Sequence, residues 1–220
     1  PVAEWRECLT KGAFVGSERP FDLIETMAFD PHQGLLHLDA HMARMKRSAK
    51  ALGFNFDRHA ARNELQAATF RLREPARVRL LASRRGICAI EVRRLDPTAE
   101  PVEVALAPRT IEPGDVRLAH KTTDRAFYDD VRRKAGCFEV IFTDSAGFLT
   151  EGSFTSIFVE RDGTLLTPPL SRGLLPGILR AELLEQGRAI EADLRPEDLA
   201  HGFCIGNAVR GLLRARLRRL

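Results

Sequence analysis

Four features of this sequence have residue types that could do chemistry. They are Lys121 in LAHKTTDRAFYDD, Arg44 in LDAHMARMKRSAKALGF, Glu151 in LTEGSFTSIFVE, and the glycine-bearing helix start at Gly177 in GLLPGILR. A lysine amine holds a carbonyl compound covalently once burial or nearby cations make it nucleophilic. A glutamate at a strand end either faces a ligand or ends in solvent. Each feature also has a plain alternative, since most lysines and arginines of a water-exposed protein are solvated surface charges. GLLPGILR, moreover, carries neither the GK[ST] ending of a P-loop nor the GxGxxG of a Rossmann turn. Taken singly, none of the four makes a site.

The elements that must position them alternate along the chain. PFDLIETMAFDPHQGLLHL reads as a hairpin around Asp30, Pro31 and Gly34. A helix follows, with Asp39 as N-cap, Met42, Met45, Ala49 and Leu52 on the core side, and Gly53 closing it. Residues 58–73 read as a second helix, and ARVRLLAS, ICAIEVRRL and VEVALAP as three strands. Pro108, Pro113 and Gly114 punctuate a stretch of weak pattern, which sets the expected division into an α+β domain of residues 1–113 and a second domain of residues 114–220. In the second, a helix from about Asp124 to Ala135 ends at Gly136. Strands are expected in FEVIFT, FLTEGS, TSIFVE and GTLLTP, a helix after Gly177, and further strands in AIEADL and GFCIGN.

Composition limits the function classes. With 220 residues and 44% hydrophobic content the chain has enough for a real core. No run approaches the roughly 20 apolar residues of a membrane-spanning helix, and PVAEWRECLTKG lacks the apolar core of a secretion signal, so no membrane association and a cytoplasmic location are the expectation. Cys8, Cys88, Cys137 and Cys204 are scattered without metal-ligand spacing and read as mostly buried thiols; no metal site is expected. The net charge of +4 owes much to VRGLLRARLRRL. That tail raises a nucleic-acid-binding alternative, but no aromatics interleave with the arginines, and a solvated or interface face is the simpler reading.

In order, FDLIETMAF, LDAHMARMKRSAKALGF, HKTTDRAFYDD, LTEGSFTSIFVERDGTLLTPP, GLLPGILRAELLE and CIGNAVRGL resemble, from end to end, the class IV aminotransferase family of pyridoxal-phosphate enzymes. Within it the chain looks most like the aminodeoxychorismate lyases, especially the domains fused behind a chorismate-using synthase, and EWRECLTKGAFV is similar to the join in such fusions.

The resemblance implies a two-domain α+β fold of the fold-type IV kind, with a smaller N-terminal domain and a C-terminal mixed sheet or barrel flanked by helices. It implies pyridoxal 5′-phosphate tethered to Lys121, with Glu151 facing the pyridine nitrogen. Arg44, the helix start at Gly177, Ile178 and Leu179, and the turn at Gly206 and Asn207 would hold the phosphate. Arg79 would sit near a carboxylate of a small anionic substrate and Thr26 near the cofactor. It further implies a homodimer, a chorismate-using synthase domain or subunit as partner, and conversion of 4-amino-4-deoxychorismate to 4-aminobenzoate and pyruvate. An aminotransferase of branched-chain or D-amino acids is the alternative. The pattern departs from branched-chain aminotransferases at Ala126, where those carry a tyrosine five residues after the lysine; here Tyr128 lies two further on. It departs again at Ser156, where many relatives have asparagine.

Overall fold

A computed structural model describes residues 20–218, so Cys8 and the fusion-like EWRECLTKGAFV lie outside the described residues. The chain forms two compact units. Of the described residues, one unit contains 20–96 together with His120–Asp124, and the other contains Pro97–Ala119 and 125–218. The expected division at 113/114 thus compares with an observed one at 96/97. The difference arises because VEVALAP pairs into the second unit's sheet, while HKTTD returns to the first.

In the first unit β1 (Leu23–Asp30), β2 (Gly34–Leu35), β3 (Ala76–Ala82) and β4 (Cys88–Arg94) form an antiparallel sheet in the order β2-β1-β3-β4. Helices α1 (Leu38–Leu52) and α2 (Arg58–Thr69) carry its apolar cover. Met27, Val78 and Leu80 of the sheet and Met42, Met45, Ala61 and Leu65 of the helices are fully buried or nearly so. Each large side chain among them contributes about 1.5–3 kcal/mol of burial energy. Gly53 closes α1 in the left-handed region (φ 68°), a conformation glycine adopts without strain. Asp39 is not the N-cap: His37 occupies that place, and Asp39 lies within the first turn, where its carboxylate accepts from Arg58 and Arg62. The second helix begins at Arg58 as expected, capped by Asp57, which accepts from the N–H groups of His59 and Ala60, but it ends at Thr69 rather than at 73.

In the second unit an eight-stranded mixed sheet runs β10-β9-β8-β11-β12-β5-β6-β7. The strands are β5 (Val102–Pro108), β6 (Glu139–Thr143), β7 (Leu149–Gly152), β8 (Ser156–Arg161), β9 (Thr164–Thr167), β10 (Ala189–Glu191), β11 (Phe203–Asn207) and β12 (Gly211–Leu217). A tight turn from β7 into β8, closed by the Gly152 N–H donating to the Thr155 carbonyl (2.8 Å), curls the sheet around one core. Val104, Ile141, Leu149, Ile157, Ile205 and Leu213 fill that core. Alternate residues face the helices. Val140 and Phe142 pack with Leu118 of α3 (Val116–Ala119) and Tyr128 of α4 (Ala126–Ala135), and Phe158 packs with Leu183 of α5 (Ile178–Glu185).

The arginine-rich tail is itself a strand, which the sequence reading missed. Alternation along β12 buries Leu213 and Ala215 and sends Arg214 and Arg216 outward, where they pair with Glu100 and Glu103. Two of the tail's arginines thus pair with acids on an exposed sheet face, which supports the reading of that tail as a solvated or interface face. Cys88, Cys137 and Cys204 are free thiols, half-buried rather than fully buried. Among the described residues no helix is long and apolar enough to cross a membrane.

Candidate functional site

Lys121 is positioned by backbone pairing. The Ile24 N–H donates to the Lys121 carbonyl (3.0 Å) and the Thr123 N–H to the Asp22 carbonyl (2.9 Å), with Leu23 and Thr122 directly opposite. Residues 121–123 therefore lie antiparallel alongside β1 through an isolated bridge. Opposed residues share a face, so Lys121 stands on the face of Ile24 and, two residues on, of Thr26. Thr26 is in turn directly opposite Arg79 on β3. Three of the residues singled out in the sequence thus share one face of one sheet. Glu91 on β4, opposite Arg79, is 4.0 Å from its guanidinium and also pairs with Arg93. His120, just before the lysine, shares a hydrogen bond with Ser48 on α1 (2.9 Å).

The other face of β1 carries a buried charge cluster absent from the sequence reading. Glu25 is 1% exposed and accepts from Arg44 through two hydrogen bonds, from Nε (2.8 Å) and from Nη2 (2.6 Å). His41 Nδ1 donates to the same carboxylate at 2.7 Å. His41 and Arg44, three residues apart on α1, reach Glu25 together because helical neighbours at that spacing share a face. Burial by itself would raise the Glu25 pKa, but the Arg44 charge and the hydrogen bonds from Arg44 and His41 outweigh it and hold it at about 2. Burial, joined by the nearby Arg44 and Lys121 charges, lowers the His41 pKa against the pull of Glu25, which favours a neutral ring donating through Nδ1. Its Nε2 is buried without a hydrogen-bond partner among the described residues. Arg44, predicted as a phosphate ligand, is thereby locked in orientation by Glu25. The signal that could have found Glu25 is an acidic residue in the middle of an apolar strand, LIETMAF.

In the second unit Glu151 is buried (6% exposed) at the end of β7. Its direction comes from a bulge: Gly152 opposes Ile141 and Leu149 opposes Thr143, so two residues, Thr150 and Glu151, face the single Phe142. Such an extra residue re-aims the side chains that follow Leu149. The Tyr128 hydroxyl donates to Oε1 of Glu151, and the Leu175 N–H to Oε2 at 3.1 Å. Tyr128 is fixed by packing against Phe142 and Phe127, with the Arg125 guanidinium over its ring. Burial, reinforced by the Glu151 charge, pushes the phenol far above its ordinary pKa and keeps it a neutral donor. The tyrosine displaced from the aminotransferase spacing is thus engaged with the acid.

The helix start at Gly177 closes the picture. The first N–H groups of α5 precede any acceptor within the helix and suit an anion. A Cβ built on Gly177 would stand 2.7 Å from Ser156 Oγ, and one on Gly206 would stand 2.8 Å from Leu179 Cδ2, so the helix start sits directly on β8 and β11. Ile178, Leu179, Ser156, Gly206 and Asn207 are brought together there. The Asn207 side chain closes the next turn, Oδ1 accepting from the N–H groups of Val209 (3.0 Å) and Arg210 (3.1 Å) while Nδ2 donates to the Phe154 carbonyl (3.2 Å). Its amide shapes the main chain at that turn.

Comparison with known proteins gives this geometry a family. The model of the amino-transferase class IV family matches residues 22–217. A Schizosaccharomyces pombe protein provisionally named an aminodeoxychorismate lyase is 29% identical over 193 residues, 82% of each chain. A solved structure from Mesorhizobium loti, provisionally named an amino-acid aminotransferase, is 37% identical, with a TM-score of 0.85 over 90% of this chain and 100% of that one. A structure provisionally named a 4-amino-4-deoxychorismate lyase is 27% identical, with a TM-score of 0.76 over 94% of this chain and 88% of that one. The curled mixed sheet with its helices is the fold-type IV architecture of these structures. Each unit carries groups of the kind such a cofactor needs: in the first a lysine paired along β1 and an arginine oriented by a buried carboxylate, in the second a buried carboxylate and a helix start suited to an anion. The chain belongs to the class IV aminotransferase family, enzymes that work with pyridoxal 5′-phosphate.

Proposed function

We propose that this chain is a lyase converting 4-amino-4-deoxychorismate to 4-aminobenzoate and pyruvate, a step of folate biosynthesis. The observation that carries the choice is at Ala126 and Tyr128. The place five residues after Lys121 has no hydroxyl, and the chain's single tyrosine is committed to Glu151. The cofactor supplies an electron sink for a carbanion. Lys121 would hold it, and its amine would move the proton from the substrate carbon bearing nitrogen, so that the enolpyruvyl oxygen would leave from the neighbouring carbon. Substrate and products balance without any co-reactant. Glu151 keeps the pyridine nitrogen protonated. Arg44, the N–H groups of Ile178 and Leu179 after Gly177, and the Asn207 turn hold the phosphate. Arg79 binds a substrate carboxylate, and the Thr26 hydroxyl serves the same face as Lys121.

A second reading is an aminotransferase of branched-chain or D-amino acids using the same cofactor residues; the name of the Mesorhizobium relative supports an amino-acid aminotransferase without saying which amino acid it takes. The test is pyruvate release from aminodeoxychorismate by loaded protein without a keto-acid acceptor. A strict need for the acceptor establishes the second reading instead. We further read the active form as a cytoplasmic homodimer, with a chorismate-using synthase domain or subunit as partner; light scattering at micromolar concentration checks the dimer.

A further inference from the structure

Directly after Glu151 the chain reverses through residues 152–155 into β8, and an interior carboxylate organises that reversal. Glu139, the first residue of β6, is 0% exposed. Its two oxygens accept five hydrogen bonds. Oε1 accepts from the Val140 N–H (2.8 Å), the Ser153 N–H (2.9 Å) and Ser153 Oγ (2.5 Å). Oε2 accepts from the Phe154 N–H (3.1 Å) and Thr155 Oγ1 (2.8 Å). Burial raises the Glu139 pKa while these donors pull against it. Gly152 leaves no room for a side chain here, since a Cβ would stand 2.7 Å from Glu139 Oε2. From outside, Asn207 Nδ2 and the Arg125 guanidinium hold the carbonyls of Phe154 and Ser153.

The ladder between β6 and β7 does not by itself define where Glu151 points, because Glu151 lies in the bulge between the two paired positions. What anchors the far end of the bulge is the reversal that Glu139 templates. We propose that Glu139 is a positioning residue for Glu151, acting through the 152–155 reversal and the bulge. The inference rests on the reading of Glu151 as the acid that faces the cofactor ring. Glutamine cannot replace Glu139. Each carboxylate oxygen accepts at least one main-chain N–H, which can only donate, so an amide NH₂ in either place would face another donor.

Tyr128 is the only tyrosine in the sequence and donates to Glu151, so a single ζ-carbon-labelled tyrosine resonance reports the Glu151 position in the full-length, cofactor-free protein. The comparison takes wild type, Glu151→Gln, Glu139→Gln, Ser153→Ala, Thr155→Val and the double variant Glu139→Gln/Glu151→Gln, with circular dichroism as the fold check. The expected result is a shift of the Tyr128 resonance in Glu139→Gln and Thr155→Val toward its place in Glu151→Gln, with no further shift in the double variant. Ser153→Ala and Thr155→Val keep every main-chain donor and carry the test if Glu139→Gln does not fold. A resonance unmoved in the folded variants overturns the proposal. So does an additive shift in the double variant, which would make Glu139 a matter of general packing. Because the tyrosine signal needs no cofactor, it decides this inference separately from pyridoxal phosphate uptake, whose failure in the wild type would instead sink the functional reading.

Discussion

Replacing Glu25 with glutamine keeps the volume of the side chain but removes the charge opposite the buried Arg44 guanidinium. The Glu25 pKa falls from 4.5 to about 2 on folding. At ~1.4 kcal/mol per unit, the ionised carboxylate contributes about 3 kcal/mol. That agrees with the roughly 3–5 kcal/mol expected when one partner of a buried pair is removed and the other is left uncompensated. In urea unfolding of cofactor-free protein at neutral pH, Glu25→Gln is expected to lose about that much, and its Tm to drop by roughly 6–12 °C. The sign with pH follows from the direction of the shift. A carboxyl depressed in the folded state contributes fully above its unfolded value of 4.5, and the contribution disappears as pH falls toward 2. The gap between wild type and variant must therefore shrink across that window. Removing both charges in Glu25→Gln/Arg44→Met should recover much of the loss, since the desolvated cation is gone. A single variant within about 1 kcal/mol of wild type, or a gap that persists undiminished in acid, would refute the reasoning.

Other outcomes follow from the same geometry. Burial lowers the His41 and His120 pKa values, so both rings are neutral when folded and gain a proton on unfolding. Stability should therefore be complete above about pH 6.5 and be lost as pH falls below it, with His41→Asn and His120→Asn each removing part of the slope in urea titrations. Lys121→Ala should fold normally by circular dichroism yet show no visible absorbance band after loading with pyridoxal phosphate; a coloured variant would reassign the tether. Gly177→Ala places a methyl 2.7 Å from Ser156 Oγ and should weaken phosphate-dependent cofactor uptake while costing about 1–3 kcal/mol. Ser156→Ala in the same chain should relieve part of both effects, measured by cofactor titration and thermal unfolding.

Local patterns were legible wherever a short-range rule governs. The hairpin at Asp30–Gly34, the core stripe of α1 with its Gly53 cap, the start of α2 at Arg58 and the helix start at Gly177 all follow from turn chemistry, periodicity and capping. The end of α2 and the strand character of VRGLLRARL were misread. In β12 alternate arginines face outward, and only pairing with β5 turns that alternation into a strand. The unit division moved for the same kind of reason, because β5 looks identical whichever sheet it joins.

The amino-acid sequence by itself determined the family, and it singled out the residues proposed for the cofactor, Lys121, Arg44, Glu151 and the Gly177 helix start, because the order of these motifs is a one-dimensional property. Only the tertiary structure decided what those residues touch. Lys121 shares a face with Thr26 and Arg79 through a strand pairing that spans about a hundred residues of chain. Glu25 and His41 became the holders of Arg44, Tyr128 the partner of Glu151, and Glu139 the template of the turn beside it. The physical reason is that a buried charge must find its hydrogen bonds inside the fold, and the elements supplying them are set by which strands pair, not by distance along the chain.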